Sequence, residues 1–319
     1  MLKGYFQSII SYAKKSIGLF LFLLCSYAIY KQVLSNDNSM QYQFILRQLI
    51  FQIPFYQWCV LFILMAFNFL IESFKWRMVA SSNNIVSSNN SISFSKAVKG
   101  VLVGQTFAFF TPNRIGEYAG RTLYLEEGKK LIGVSQLAWA SYAQLLITII
   151  IGSIALVLNI GQYHWINDNL LMGVKILLPI ILILSIGLFF YKFEWKGKLH
   201  FLNILQIPTR IKFYLLVLSF SRYLIFLLQY VWVAYMLQMQ IDFISIALSV
   251  AILFLFLSIL PTISITELAV RGQLLLLILE PYIQNKIMII SLSSIIWSVN
   301  FLLPSIIGAI LLLGYRLNR

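Results

Sequence analysis

Long apolar runs without a charged residue constrain the fold of this chain more than any other feature of its sequence. Residues 287–315 form a run of 29 and residues 51–71 a run of 21. A helix that crosses the hydrocarbon core of a bilayer needs about 20 mostly apolar residues. The runs therefore predict an all-α, polytopic membrane protein. They exclude an outer-membrane barrel, whose strands alternate between apolar and polar residues.

Composition sets the expected number of spans. Of the 319 residues, 60% are hydrophobic and 11% are charged, whereas about 25% are charged in soluble domains. At about 20 residues a span, the chain accommodates about seven or eight spans joined by short loops. We expect a single transmembrane domain over residues 1–319 and no soluble catalytic domain. The other predicted spans lie at residues 17–30, 131–163, 170–191, 213–241 and 243–266.

Positive charge dominates the few charged residues, with 24 Lys and Arg against 10 Asp and Glu and a net charge of +14. Lys and Arg collect in the cytoplasmic loops of membrane proteins, so we expect no nucleic-acid partner. Residues 192–212 hold five of them, whereas residues 159–169 and 237–243 hold none. This asymmetry predicts a cell (inner) membrane protein with a cytoplasmic N-terminus. Glu72, Lys75, Trp76 and Arg77 are interpreted as anchors at the cytoplasmic edge of the second span.

A broken helix is predicted at residues 100–121, which read GVLVGQTFAFFTPNRIGEYAGR. The first part is apolar but too short to cross a bilayer. It ends at Thr111-Pro112-Asn113, because proline lacks an amide proton and fixes its own backbone angle. We expect a second helix to begin here, with Thr111 as its cap and Pro112 in its first turn.

Charged residues and glycines are regularly spaced in this second helix. Arg114, Glu117 and Arg121 recur at steps of three and four, so we expect them on one helix face. Gly116 and Gly120 lie on a neighbouring strip, at the spacing that lets helix backbones approach closely. The pattern predicts a helix packed tightly into a bundle that presents a charged stripe to a cavity.

A second stretch, LPTISITELAVRG at residues 260–272, repeats this design. Aligned on the acids, EYAGR at 117–121 matches ELAVR at 267–271. We expect an inverted repeat, with residues 1–160 broken at 104–121 and residues 170–319 broken at 258–272. Such paired interruptions of hydrophobic segments indicate the substrate site of secondary transporters.

Two interpretations of the repeated charges are open. Each Glu and Arg can form a pair on a solvated loop helix, with a contribution of a few tenths of a kcal/mol. Alternatively the charges lie in the membrane, where each costs about 2.5–3.5 kcal/mol and marks a functional cavity. The duplication favours the cavity. Arg222, inside an apolar run, either lines the same cavity or extends to the interface.

The segment TPNRIGEYAGR at residues 111–121 resembles the flippase-like transmembrane family typified by the membrane part of lysylphosphatidylglycerol synthase. In that family a T-P-x-R-x-G-E break follows a half-helix, and a second break recurs near the C-terminus. Here Ser264, Ile265 and Thr266 replace the glycines expected before Glu267. The family's synthases carry a large aminoacyl-transfer domain, for which this length leaves no room, so lipid aminoacylation is not expected.

The resemblance implies translocation or binding of a lipid with an anionic headgroup, such as a phospholipid or a polyprenyl phosphate, by two repeats that meet near the midplane. Arginine suits such a ligand because its planar guanidinium binds phosphate through two hydrogen bonds. Glu117 and Glu267 would hold these groups in place or carry a coupling proton. The predicted substrate-binding residues are Thr111, Pro112, Asn113, Arg114, Glu117, Arg121, Arg222, Glu267 and Arg271.

Two other function classes are compatible with the sequence. One is a membrane-embedded lipid-modifying enzyme, although no hydrolase, zinc-peptidase or ATP-binding motif is present, so we expect neither catalysis nor a cofactor. The other is a non-catalytic membrane subunit that uses Gly116 and Gly120 to contact a partner protein or a second copy.

Overall fold

The computed structural model describes residues 27, 47, 52–81, 92–126, 128–159, 162, 168–191, 206–260 and 264–317. Within these ranges all regular secondary structure is helical, as predicted. The predicted first span at 17–30 lies outside them apart from Tyr27. The described helices are α1 (Phe55–Ala80), α2 (Phe94–Phe110), α3 (Gly116–Thr122), α4 (Lys130–Asn159), α5 (Asp168–Phe190), α6 (Thr209–Met236), α7 (Phe243–Ile259), α8 (Ser264–Leu279), α9 (Lys286–Trp297) and α10 (Leu303–Leu317).

Four helical segments of the described chain are long and apolar enough to cross a membrane. They are α1, α4, α6 and the continuous segment Lys286–Gly314, which joins α9 to α10 through a π-helical turn at Ser298–Leu302. α7 and residues 177–190 of α5 are apolar but shorter. The chain is therefore a helical membrane protein. These four helices do not establish the predicted count of seven or eight spans, which stays a prediction.

The observed helix ends follow from local sequence. Pro54 precedes α1 and has the extended backbone of a helix cap, and the helix continues past the predicted end at residue 71 to Ala80. The apolar run 243–266 is not one helix, because α7 ends at Ile259 and α8 begins at Ser264. The caps of α2 and α7 are alike: Ser93 accepts a hydrogen bond from the backbone of Lys96, and Asp242 accepts one from Ser245.

The described helices form two main apolar cores. The larger core joins α6, α7, α8 and α9, with Tyr230, Val250 and Leu292 completely buried. The second core joins α1, α2 and α4 around Trp76 and Leu137. α1 packs against α6, and α4 against α7, so these helices link the two cores. Because lipid is as apolar as the cores, close van der Waals packing and small residues stabilise these contacts.

Glycine permits the closest helix contacts, as predicted. A Cβ atom on Gly120 of α3 would lie 2.4 Å from the Cα of Gly104 in α2, and one on Gly116 would lie 2.4 Å from the carbonyl oxygen of Phe107. Both distances are far below contact distance, so only glycine fits. These glycines pack inside the chain, which contradicts the hypothesis that they form a surface for a partner protein.

Two basic residues predicted in the loop at 192–212, Arg210 and Lys212, lie in α6 instead, and Lys212 is buried. Lys212 is 2% exposed. Its ammonium donates a hydrogen bond of 2.6 Å to the carbonyl of Phe189 and lies 3.9 Å from the centre of the Trp139 ring. A backbone acceptor and an aromatic face together compensate the charge, which explains why this lysine is buried.

Candidate functional site

The break after α2 is a sharp reversal of backbone conformation. Thr111 is extended, a short 3₁₀ turn covers Pro112–Arg114, and Asn113 and Arg114 have φ angles of +49° and +58°. A left-handed backbone is unfavourable for a residue as large as arginine, and residues held in it are enriched at functional sites. The helix therefore restarts at Gly116, so the prediction that Pro112 lies in its first turn is wrong.

The residue in the N-cap position of α3 is Ile115, which has no side-chain cap, so the prediction that Thr111 occupies that position is wrong. Thr111 still contacts the first turn through its side chain. Its hydroxyl oxygen accepts a hydrogen bond of 2.8 Å from the backbone N–H of Gly116 and donates one of 3.0 Å to the carbonyl of Phe107. The side chain therefore joins the end of α2 to the start of α3. This bond spans five residues instead of the usual two or three, because the left-handed turn lies between them.

The three charged residues predicted on one face of the second helix do not all lie together. Glu117 and Arg121 form an ion pair across one turn of α3, and the Arg121 side chain is 4% exposed. Arg114 lies outside the helix and points elsewhere: its Nη2 is 3.8 Å from Oε2 of Glu267. The left-handed backbone at Arg114 accounts for this, because it turns the side chain away from the face of α3. The solvated-loop interpretation is wrong for Arg121.

Glu72 on α1 is the centre of the first ion cluster. Its Oε1 accepts a hydrogen bond of 2.6 Å from Arg121, its Oε2 accepts one of 2.7 Å from Arg222, and Lys75 Nζ lies 3.3 Å from Oε2. We call Glu72, Lys75, Glu117, Arg121 and Arg222 the Glu72 cluster. Arg222 also donates a hydrogen bond to Asn68.

These contacts correct the interpretation of Glu72 and Lys75 as interfacial anchors. Glu72 is 5% exposed, Lys75 is 1% exposed and Trp76 is completely buried. A carboxylate surrounded by three cations is stable away from water, because charge-assisted hydrogen bonds replace its hydration. α1 therefore contributes the centre of the site. Asn68, Glu72 and Lys75 recur at steps of four and three, so their common helix face was readable from the sequence.

Glu267 on α8 is the centre of the second ion cluster. It forms an ion pair with Arg271 one turn later and lies near Arg114 from the first break. Arg271 Nη1 also donates a hydrogen bond of 2.6 Å to the hydroxyl of Tyr230 on α6. We call Arg114, Tyr230, Glu267 and Arg271 the Glu267 cluster. It joins the two predicted breaks directly.

Phe301 holds both arginines of this cluster. The Arg114 guanidinium lies 4.0 Å from the ring centre, and that of Arg271 lies 5.2 Å from it. Each such contact contributes about 0.5–2 kcal/mol, depending on how far the cation is desolvated. Phe301 belongs to the π-helical turn, a distortion often found at functional sites. Phe301 lies within the uninterrupted apolar run 287–315, and no residue pattern in that run predicted a role for it in the site.

A cavity of about 450 Å³ lies between the two clusters. Its volume is within the range of pockets that bind small molecules or cofactors. Its charged lining residues are Glu72, Lys75, Arg114, Glu117, Arg222, Glu267 and Arg271, and its apolar lining residues include Leu145, Phe226, Phe254, Leu257 and Ile259.

Six of the nine predicted site residues line this cavity: Asn113, Arg114, Glu117, Arg222, Glu267 and Arg271. Arg222 thus lines the cavity instead of extending to an interface. Thr111 and Arg121 are not among the lining residues. Thr111 accepts a hydrogen bond from the first residue of α3, and Arg121 forms ion pairs with two carboxylates. Pro112 begins the 3₁₀ turn.

The second predicted break resembles the first in the described residues. α2 and α7 are both 17 residues long, each is followed by a break, and a Glu–Arg ion pair across one helical turn comes next, with a buried arginine in both cases. Pro261 and residues 262–263 lie outside the described part of the chain.

The described residues contain no group of three or more His, Cys, Asp or Glu side chains that could hold a metal ion. No family model, curated protein or solved structure matches the chain. The resemblance to the flippase-like family therefore stays a prediction based on its motif residues, and the cavity carries the functional argument.

Proposed function

We propose that this protein binds a phosphate-bearing lipid in the cavity between the Glu72 and Glu267 clusters and moves it across the membrane, as a flippase-like transporter. The observation that carries the proposal is the lining itself. Lys75, Arg114, Arg222 and Arg271 meet there, next to an apolar wall, in a helical membrane protein.

Arginine is the residue best suited to hold a phosphate in such a place. Its guanidinium donates parallel hydrogen bonds to phosphate oxygens and is less strongly hydrated than an ammonium. Glu72 and Glu267 keep the arginines in position through the contacts described above. They also compete with the ligand for the same donors, which favours release as well as binding.

The apolar wall suits the lipid tails. Leu145 and Ile259 line the cavity and are also 37% and 70% exposed. The cavity therefore continues onto a surface that a bilayer would cover. A lipid headgroup can enter by this route while its acyl chains stay in hydrocarbon.

The matched breaks suggest how transport would occur. Secondary transporters move one repeat against the other around a site formed by interrupted helices. We assign residues 1–160 and 170–319 to two inverted repeats, because the caps, helix lengths and Glu–Arg ion pairs of α2–α3 and α7–α8 correspond. The proposal places the protein in the cell (inner) membrane, with its N-terminus in the cytoplasm.

Transport of a labelled phosphate-bearing lipid in vesicles that contain the purified protein tests this function. We expect Arg114→Gln and Arg271→Gln each to lower the rate at least about tenfold, which corresponds to about 1.4 kcal/mol. Arg210→Gln is the matched control, because Arg210 is exposed at the start of α6. Unchanged transport in both cavity variants, at equal protein content, would contradict the proposal.

A further inference from the structure

We propose that the cavity selects a headgroup with two negative charges, a terminal phosphate monoester, over a singly charged phosphodiester. This inference rests on the proposed function and names the class of its ligand. It is based on the charge balance of the two clusters and on hydrogen-bond donors of cavity-lining residues that have no partner among the described residues.

Each cluster has one more cation than carboxylates. In the Glu72 cluster, Lys75, Arg121 and Arg222 face Glu72 and Glu117. In the Glu267 cluster, Arg114 and Arg271 face Glu267 alone. The charged lining residues of the cavity all belong to these two clusters, so the described site carries two positive charges in excess.

An uncompensated charge of this kind is costly where water is scarce. A dianionic phosphate between the clusters compensates both excess charges at once. A phosphodiester carries one charge, so one cluster would keep its excess. A zwitterionic headgroup has no net charge and would compensate neither.

Hydrogen-bond donors without a partner also favour a phosphate monoester as the ligand. Arg114 Nη2, Arg271 Nε and the hydroxyl of Tyr223 are buried and have no hydrogen-bond partner among the described residues. All three residues line the cavity, and Tyr223 is only 1% exposed. A phosphate monoester presents three terminal oxygens as acceptors, whereas a diester presents two.

Tyr223 is the informative member of this group, because its hydroxyl carries no charge. Its ring packs edge-on against Phe254, with 5.5 Å between the ring centres. This contact accounts for the burial of the ring, but it gives the hydroxyl no hydrogen-bond partner. A buried hydroxyl without a partner costs about 1–3 kcal/mol. We assign Tyr223 as a ligand-binding residue that donates to a phosphate oxygen.

Competition between two lipids with identical acyl chains tests the inference. The purified full chain in detergent micelles is given equal amounts of dioleoyl phosphatidic acid and dioleoyl phosphatidylglycerol, and bound lipid is counted by native mass spectrometry. We expect phosphatidic acid to be preferred at least about tenfold, or about 1.4 kcal/mol. In a second arm, inorganic phosphate competes with phosphatidic acid.

Three variants separate charge from shape. Arg271→Gln removes one excess charge, so the preference should fall to about twofold or less. Tyr223→Phe keeps the packing and all charges, and should weaken phosphatidic acid binding several-fold while the binding of phosphatidylglycerol changes little. Arg210→Gln should preserve the wild-type preference. If Arg271→Gln fails to fold, Tyr223→Phe still provides the test.

The outcomes distinguish this inference from the proposed function. Equal binding of the two lipids overturns the inference and leaves lipid binding intact, whereas binding of neither lipid and of no inorganic phosphate overturns both. Displacement of phosphatidic acid by inorganic phosphate supports a dianion site that takes its ligand from the membrane. Binding of inorganic phosphate without phosphatidic acid supports the dianion site but contradicts a lipid ligand.

Discussion

Replacement of Glu72 by Gln is the most direct perturbation of this site. Gln has nearly the same shape but no charge, so Arg121, Arg222 and Lys75 would lose the carboxylate that lies 2.6, 2.7 and 3.3 Å from them. Loss of one partner from a buried ion pair costs about 3–5 kcal/mol, because it leaves the other charge uncompensated. We expect the free energy of unfolding to fall by about that amount.

The chain contains a matched control for this substitution. Glu126 and Lys129 form a pair with the same spacing as Glu72 and Lys75, but the Glu126 side chain is 57% exposed. An exposed pair contributes about 0–1 kcal/mol, so Glu126→Gln should have little effect. Equilibrium unfolding of both variants in mixed micelles, followed by tryptophan fluorescence, measures the difference.

A double variant tests the reasoning further. Glu72→Gln combined with Arg222→Gln removes one charge of each sign, so the loss of stability should be smaller than the sum of the two single losses. Coupling between contacting residues is usually about 0.5–3 kcal/mol. If Glu72→Gln unfolds like Glu126→Gln, or if the two changes simply add, Glu72 does not hold the cluster as we infer.

Three further predictions concern other parts of the structure. Gly120→Ala should destabilise the protein by about 1–3 kcal/mol through overpacking, since the added Cβ would lie 2.4 Å from the backbone of Gly104. Gly187→Ala should leave the stability unchanged, because no atom lies within 4 Å of the added Cβ. Equal stability of the two variants in detergent would contradict the close contact at Gly120. Phe301→Leu should weaken lipid binding several-fold by removing its contacts with Arg114 and Arg271, and titration with phosphatidic acid measures this; unchanged affinity would exclude a role for the ring. Asp242→Ala should destabilise α7 at neutral pH, because the backbone N–H of Ser245 donates a hydrogen bond to the Asp242 carboxylate and lowers its pKa below the usual value. A carboxylate with a lowered folded-state pKa stabilises the fold above its unfolded pKa, and the effect disappears as pH falls through the folded value, so thermal unfolding of wild type and variant should converge in acid.

The two repeated ion pairs illustrate how much of the site was predictable. Glu117 with Arg121 and Glu267 with Arg271 were recognisable because a helix brings residues four apart together whatever surrounds it. The distortion at Thr111-Pro112-Asn113 was recognisable for an equally local reason, since the proline ring acts on its own turn. The exact restart of the helix at Gly116 was not, because it depends on left-handed backbone at Asn113 and Arg114.

Glu72 illustrates what sequence reasoning missed. A charged residue at the end of an apolar run is most often an interfacial anchor, and Glu72 was interpreted that way. Its partners Arg121 and Arg222 lie 49 and 150 residues away in the sequence. No local pattern connects positions so far apart; the pairing with Arg222, for example, depends on the packing of α1 against α6.

The sequence by itself determined that this is a helical membrane protein, where its helices break, and which charges are too costly to be incidental in lipid. These properties follow from hydrophobicity and from short-range backbone geometry. Only the tertiary structure decided that Arg114 leaves its helix to meet Glu267, that Phe301 lies against two arginines, and that two ion clusters of equal excess charge enclose one cavity. Helix packing brings these groups together, and it depends on the shape of every neighbouring side chain at once.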